Sequence, residues 1–100
     1  MTIEYIRYVL VEHEPAALIA AYEQARVHLD MAPECLAYDL TQCDDEPNSL
    51  ILRIEWTSGA AHMQGFRRGP HFPPFLAAIR AFIPEIAEMR HYRPRIVSGS

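Results

Sequence analysis

The histidines are the residues of this chain best suited to chemistry, because an imidazole titrates near neutral pH and can take or give a proton. The five positions are His13, His28, His62, His71 and His91. Their spacing matches no metal-chelating pattern, and the chain has neither a His-Glu-x-x-His nor a Cys-x-x-Cys motif. Four glycines in the whole chain also argue against a phosphate-binding loop. We therefore expect no metal site and no cofactor.

Aromatic residues surround two of these histidines. Trp56 ends a predicted strand, and His62 and Phe66 follow it one helical turn apart. A second helical stretch begins at His71, beyond a Gly-Pro break. A broken helix whose aromatic side chains face a sheet can enclose a pocket, where a histidine could take a proton from a phenol or enol. The candidate catalytic residues are His62, Trp56 and His71, and the candidate substrate-binding residues are Tyr22, Tyr38, Phe66, Arg67, Phe72 and Phe75.

Each candidate also has a plain structural interpretation. Trp56 is a large residue that could simply fill the end of the sheet, and the two tyrosines have the pattern of ordinary core residues. His62 could be a surface residue and His71 a helix-start residue. The run Met89–Tyr92, which contains His91, is interpreted as strand alternation with charged edges or as a dimer contact.

The elements that must position these residues alternate between strands and helices. The first segment is rich in β-branched and aromatic residues, which is typical of a strand, and Pro15 suits the first turn of the following helix. Period-two alternation in the next two segments, joined by a short polar turn, indicates a hairpin. The predicted strands are Ile3–Val11, Cys35–Cys43, Ser49–Trp56 and Glu85–Arg93, and the predicted helices are Pro15–Asp30, Gly59–Arg68 and His71–Phe82.

This order predicts one α+β domain, a split βαβ (ferredoxin-like) unit with a four-stranded antiparallel sheet and its helices on one face. The domain spans residues 1–95, and residues 96–100 are expected to form a flexible tail. The uncovered face carries Ala37, Ile51 and Arg53, a mixture too apolar to leave in water. We therefore expect a homodimer formed through a symmetric two-fold contact, the dimeric form of an α+β barrel.

Composition excludes some partners. Nine Lys+Arg against thirteen Asp+Glu, a net charge of −4, give no general attraction for nucleic acid. No apolar run is long enough for a membrane span, and the N-terminus does not resemble a signal peptide. Cys35 and Cys43 on one strand would lie about 26 Å apart, too far for a disulfide. Two free thiols favour a cytoplasmic location. From the charge and the apolar runs we expect neither nucleic acid nor a membrane as a partner.

Five stretches of the sequence carry a resemblance to a known family. They are Pro33–Leu40, Glu55–Ser58, His62–Arg67, Pro70–Phe72 and Glu88–Tyr92. These segments resemble the antibiotic biosynthesis monooxygenase family, and its quinol monooxygenase branch most, over nearly the whole chain. Some relatives degrade haem with an Asn on the first strand, and this chain has no Asn between Ile3 and Val11.

The resemblance implies a ferredoxin-like subunit in a dimeric α+β barrel, and cofactor-independent oxidation of a hydroquinone or polycyclic phenol by O₂. A deprotonated, electron-rich phenol can pass one electron to triplet O₂ without flavin or metal. The protein would supply a base (His62 or His71), an apolar pocket that excludes water, and a donor for oxyanion charge, for which Arg67 is a candidate. The alternative is a dimeric binding or stress-response module that holds a small aromatic ligand without turning it over.

Overall fold

The computed structural model describes residues 1–100, and its elements follow the predicted order. The strands are β1 (Thr2–Val9), β2 (Cys35–Gln42), β3 (Ser49–Trp56) and β4 (Ile86–Tyr92), and the helices are α1 (Pro15–Met31), a π-helix (Ala61–Phe66), α2 (Phe72–Ile79) and a 3₁₀-helix (Arg80–Glu85). The four strands form one antiparallel sheet in the order β2-β3-β1-β4. The predicted ferredoxin-like α+β fold is confirmed.

The core lies between the sheet and the two α-helices. Strands β1 and β3 occupy the centre of the sheet, and their alternating residues point to the helices, so that Ile6 pairs with Leu52 across the ladder. Helix α1 begins at Pro15, where the missing N–H costs nothing, and buries the face predicted from its spacing. The buried residues of α1 are Leu18, Tyr22, Ala25 and Leu29.

The opposite face of the sheet has no helix over it. Tyr5 on β1 packs edge-to-face against Tyr92 on β4, with 5.3 Å between ring centroids. Arg53 on β3 donates to the Glu55 carboxylate at 2.7 Å and leaves Ile51 partly open beside it. This outer face therefore mixes aromatic and apolar surface with paired charges.

Some boundaries differ from the prediction. Strand β1 ends at Val9 rather than Val11, and β4 starts at Ile86 rather than Glu85. The reason is that the Glu85 carboxylate accepts hydrogen bonds from the N–H groups of residues 11, 12 and 13, which forms a turn instead of a ladder. Helix α2 ends at Ile79 and tightens into the 3₁₀-helix, because Pro84 cannot continue an α-helix.

Both cysteines are free. No helix of the chain combines the length and the apolar character that crossing a membrane would need. Residues 93–100 form no helix or strand, and Ile96 and Val97 are each 90% exposed.

Candidate active site

A cavity of about 390 Å³ lies between the sheet, the π-helix and α2, and most of its lining is apolar. Six of the residues that line it are Glu4, Trp56, His62, Phe66, Phe72 and Phe75. Small-ligand pockets span about 300–1,000 Å³. The volume therefore suits one small, mostly apolar molecule.

The floor of the cavity is an aromatic stack. The rings of Trp56 and His62 are parallel within 11°, with centroids 4.5 Å apart, and Phe66 packs against Trp56 at 4.9 Å. On the short helix His62 and Phe66 are four residues apart, so both side chains face the same inner side. Ser58 starts that helix, and its hydroxyl accepts the N–H of Ala61 at 2.9 Å.

A polar corner joins four elements at one end of the cavity. Glu4 on β1 lies opposite His91 on β4 in the ladder, and both point to the helix side. Trp56 donates its indole N–H to Glu4 Oε1 at 3.1 Å. His62 Nδ1 lies 3.0 Å from His91 Nε2 in a hydrogen bond. The strand register thus brings together two residues from opposite ends of the chain.

The second nitrogen of His62 remains available. His62 Nε2 lies 3.5 Å from Glu4 Oε1 and makes no hydrogen bond. The His62 ring lines the cavity, and its Nδ1 is already engaged with His91. Nε2 is therefore the position where a bound molecule can meet the imidazole.

Burial controls the charges of the polar corner. Burial, together with electrostatic interaction with His91 and Arg67, lowers the pKa of His62 to about 4. Burial also raises the pKa of the Glu4 carboxyl, although the Trp56 hydrogen bond and electrostatic interaction with His91 and Arg67 oppose that change. At pH 7 His62 is neutral, so its contact with Glu4 is not an ion pair and its Nε2 can act as an acceptor.

The only group of side chains that could hold a metal ion is Glu4, His62 and His91. One carboxylate and two imidazoles could bind a transition metal. However, Glu4 approaches Nε2 of His62, whereas His91 approaches Nδ1. His62 bonds His91 and Trp56 bonds Glu4, so in this structure the three side chains belong to a hydrogen-bonded network.

The rim of the cavity is formed by Arg67, Phe72 and Met89. The Arg67 guanidinium carbon lies 5.4 Å from the centre of the Phe72 ring, and its Nη2 lies 3.9 Å from Met89 Sδ. Trp56 at the floor has no exposed surface, whereas Met89 is 41% exposed. The exposed lining residues Arg67, Ile83 and Met89 therefore mark where the cavity meets solvent.

Of the residues singled out in the sequence, Trp56, His62, Phe66, Arg67, Phe72 and Phe75 meet around this cavity. His71 does not line it and lies just before α2. Tyr22 and Tyr38 line a different hollow of about 420 Å³, between α1 and β2. Their hydroxyls are already engaged, because α1 packs over the other half of the sheet: Tyr22 on α1 bonds Tyr8 on β1, and Tyr38 on β2 bonds Asp30 on α1.

Sequence reasoning missed Glu4 and gave His91 no chemical role. The available signal was strand alternation, which places both residues on the helix side of the edge and centre strands. It could not be used without the register between β1 and β4, because one residue of slip would reverse the face of His91.

Solved structures of similar shape cover nearly the whole chain. A candidate antibiotic biosynthesis monooxygenase from Bordetella bronchiseptica is 20% identical, with a TM-score of 0.78 over 95% of this chain and 97% of that one. SnoaB from Streptomyces nogalater, described as a cofactor-independent oxygenase, is 20% identical, with a TM-score of 0.75 over 96% and 95% of the two chains. A conserved protein from Methanosarcina mazei is 15% identical, with a TM-score of 0.76 over 94% and 92%. At these identities the likeness supports the fold alone.

A comparison with curated proteins finds no significant match. The family model for "antibiotic biosynthesis monooxygenase", in contrast, matches residues 3–81. That range runs from β1 into the 3₁₀-helix and contains Glu4, Trp56, His62 and the aromatic wall of the cavity. With the fold and most of the sequence in agreement, the chain belongs to the antibiotic biosynthesis monooxygenase family.

Proposed function

We propose that this protein is a cofactor-independent monooxygenase, of the quinol monooxygenase type, that oxidises a hydroquinone or small polycyclic phenol with O₂. The observation that carries the proposal is a neutral imidazole, His62, stacked on Trp56 in the wall of a largely apolar cavity. Membership of the family supports the reaction class, and SnoaB supports the absence of a cofactor by analogy.

His62 is assigned the role of base. A phenol in the cavity would present its O–H to Nε2, the nitrogen that makes no hydrogen bond within the protein. Lowering the His62 pKa from 6.5 to about 4 opposes its protonation by roughly 3 kcal/mol without substrate. A phenolate beside the ring reverses part of this cost, because opposite charges attract strongly where water is excluded.

Trp56 and Arg67 are assigned supporting roles. The Trp56 indole holds one oxygen of Glu4 through its N–H and holds the His62 ring through stacking, so it fixes the orientation of the base. Arg67 at the rim carries a positive charge that can stabilise the phenolate and the reduced oxygen species as they form. Phe66, Phe72 and Phe75 keep water away from these charges.

The alternative is a binding module that holds the same aromatic molecule without oxidising it. A floor without exposed surface and an aromatic wall would serve such a module as well. The two functions differ in one measurable respect, because only the enzyme consumes O₂ in step with ligand loss.

We also propose that the protein works as a homodimer. The outer face of the sheet holds a hollow of about 570 Å³ lined by aromatic, aliphatic and arginine side chains, among them Tyr5, Ile51 and Arg53. A second copy would cover this surface and meet its cations with the acidic groups that the same face carries. The two free cysteines remain the reason for expecting a cytoplasmic location.

The proposed reaction is tested with an oxygen electrode and a panel of hydroquinones and anthrones, each corrected for its spontaneous oxidation. Chelator-treated wild-type protein should consume O₂ with substrate, and His62→Phe should lose about 10²–10⁴-fold in rate, the range typical of a lost base. His28→Ala on α1, far from the cavity lining, is the matched control and should keep the wild-type rate. Saturable binding of a panel member without O₂ uptake would reject the enzyme and favour the binding module.

A further inference from the structure

Part of the His91 ring lies outside the cavity in which the reaction is proposed. Its side chain is 40% exposed, although its Nε2 hydrogen-bonds the buried His62 at 3.0 Å. It lines a surface hollow of about 450 Å³ with Thr2, Met63 and Arg93, and that hollow is separate from the substrate cavity. His91 therefore stands between the buried imidazole and bulk water.

Apart from the cavity, which substrate would fill, the buried base has no other route to solvent. His62 is 2% exposed and its Nδ1 is occupied by His91. Glu4, its other polar neighbour, is itself buried and is held by the Trp56 N–H. Arg67, the remaining charged group near the ring, can donate a hydrogen bond but cannot accept a proton.

We propose that His91 relays protons between His62 and bulk water, an inference that rests on the proposed oxidation. In the starting state His62 carries its hydrogen on Nδ1 and donates it to His91 Nε2. When the substrate O–H gives its proton to His62 Nε2, the Nδ1 hydrogen passes to His91 Nε2, and the hydrogen on His91 Nδ1 leaves to water. Each ring gains one N–H bond and loses one, both rings stay neutral, and the negative charge stays on the substrate oxygen.

The relay must also run in reverse within each turnover. A hydroquinone and O₂ give a hydroxyquinone and water, so the substrate loses two hydrogens, gains one oxygen atom and is oxidised by four electrons, which O₂ accepts. Both hydrogens end in the water molecule. The proton released at the start therefore returns when the O–O bond breaks, and its return restores the starting tautomer of both histidines.

The test compares His91→Ala, His91→Gln and the control His28→Ala in weakly buffered solution, with the hydroquinone that wild type oxidises fastest. We expect His91→Ala to lose about tenfold or more in kcat, with KM little changed, because general acid–base steps contribute about 10²–10⁴-fold. Added imidazole should restore the rate in a saturable manner, since a small base can enter the space left by the ring. His91→Gln can hydrogen-bond His62 but cannot pass a proton, so it should stay slow, and imidazole should rescue it less.

The outcomes separate the relay from the oxidation. A wild-type kcat in His91→Ala at low buffer, or a loss that imidazole does not restore in folded protein, overturns the relay and leaves the proposed function standing. An inactive wild type overturns both. A ¹⁵N spectrum in which His62 carries its hydrogen on Nε2 rather than Nδ1 also rejects the relay, independently of turnover.

Discussion

The acid sensitivity of the fold should depend on His62. Its pKa is lowered to about 4 in the folded protein by burial, against about 6.5 when unfolded. Between these values the unfolded chain binds more protons, so stability falls as pH is lowered from 7 towards 4. At pH 5 the His62 contribution to this loss amounts to about 2 kcal/mol relative to pH 7.

The replacement His62→Phe tests this reasoning, because a phenyl ring can keep the stack on Trp56 but cannot take a proton. Urea unfolding at pH 7 and pH 5 should give a change in stability about 2 kcal/mol smaller for the variant than for wild type. Acidic groups remote from His62 are present in both proteins and cancel in this comparison. His28→Ala should keep the wild-type difference between the two pH values. Equal losses in wild type and His62→Phe would show that the imidazole is not held in a buried, neutral state.

Three further results are expected. Trp56→Phe leaves the buried Glu4 carboxylate without its indole donor and should cost about 1–3 kcal/mol in urea unfolding; an unchanged midpoint would contradict the contact. The pKa of Glu85 is lowered to about 2 by His13 and three backbone N–H groups, so its stabilising effect is present above pH 4.5 and lost towards pH 2. Glu85→Gln should therefore reduce the fall in melting temperature between pH 4.5 and pH 2, and the same fall in wild type and variant would count against this assignment. Light scattering at micromolar concentration should give the mass of a dimer, whose interface we expect to bury more than about 1,000 Å². Ile51→Glu on the outer face should give monomers, and a monomeric wild type would refute the dimer.

Sequence periodicity was sufficient to predict the architecture and the aromatic part of the site, which is Trp56, His62 and Phe66. Alternation in β3 puts Trp56 on the helix side, and the four-residue spacing from His62 to Phe66 turns both inward. The residues that complete the polar corner come from β1 and β4, which only tertiary pairing brings together. Glu4 looked like a charged residue near a chain end, yet it is 2% exposed, because its indole and imidazole partners are supplied by distant elements.

The places where the structure differs from the expectations also have local physical reasons. His71 lies close to the aromatic cluster in sequence, but α2 starts only at Phe72, so the imidazole stays outside the cavity lining. The turn around His62 is a π-helix rather than an α-helix, and no residue type in Ala61–Phe66 indicates the wider turn in advance.

The Glu85 turn has a consequence for the order in which the molecule opens. Its carboxylate binds the amides of Val11 and Glu12, more than seventy residues away along the chain. Those amides lie at the surface, outside any helix or strand, and such amides normally exchange with solvent quickly. Here they should exchange only when the segment leading into β4 detaches, so Val11 and the β4 amides should share one opening free energy. Hydrogen exchange would then report the edge strand and a distant loop as a single cooperative unit.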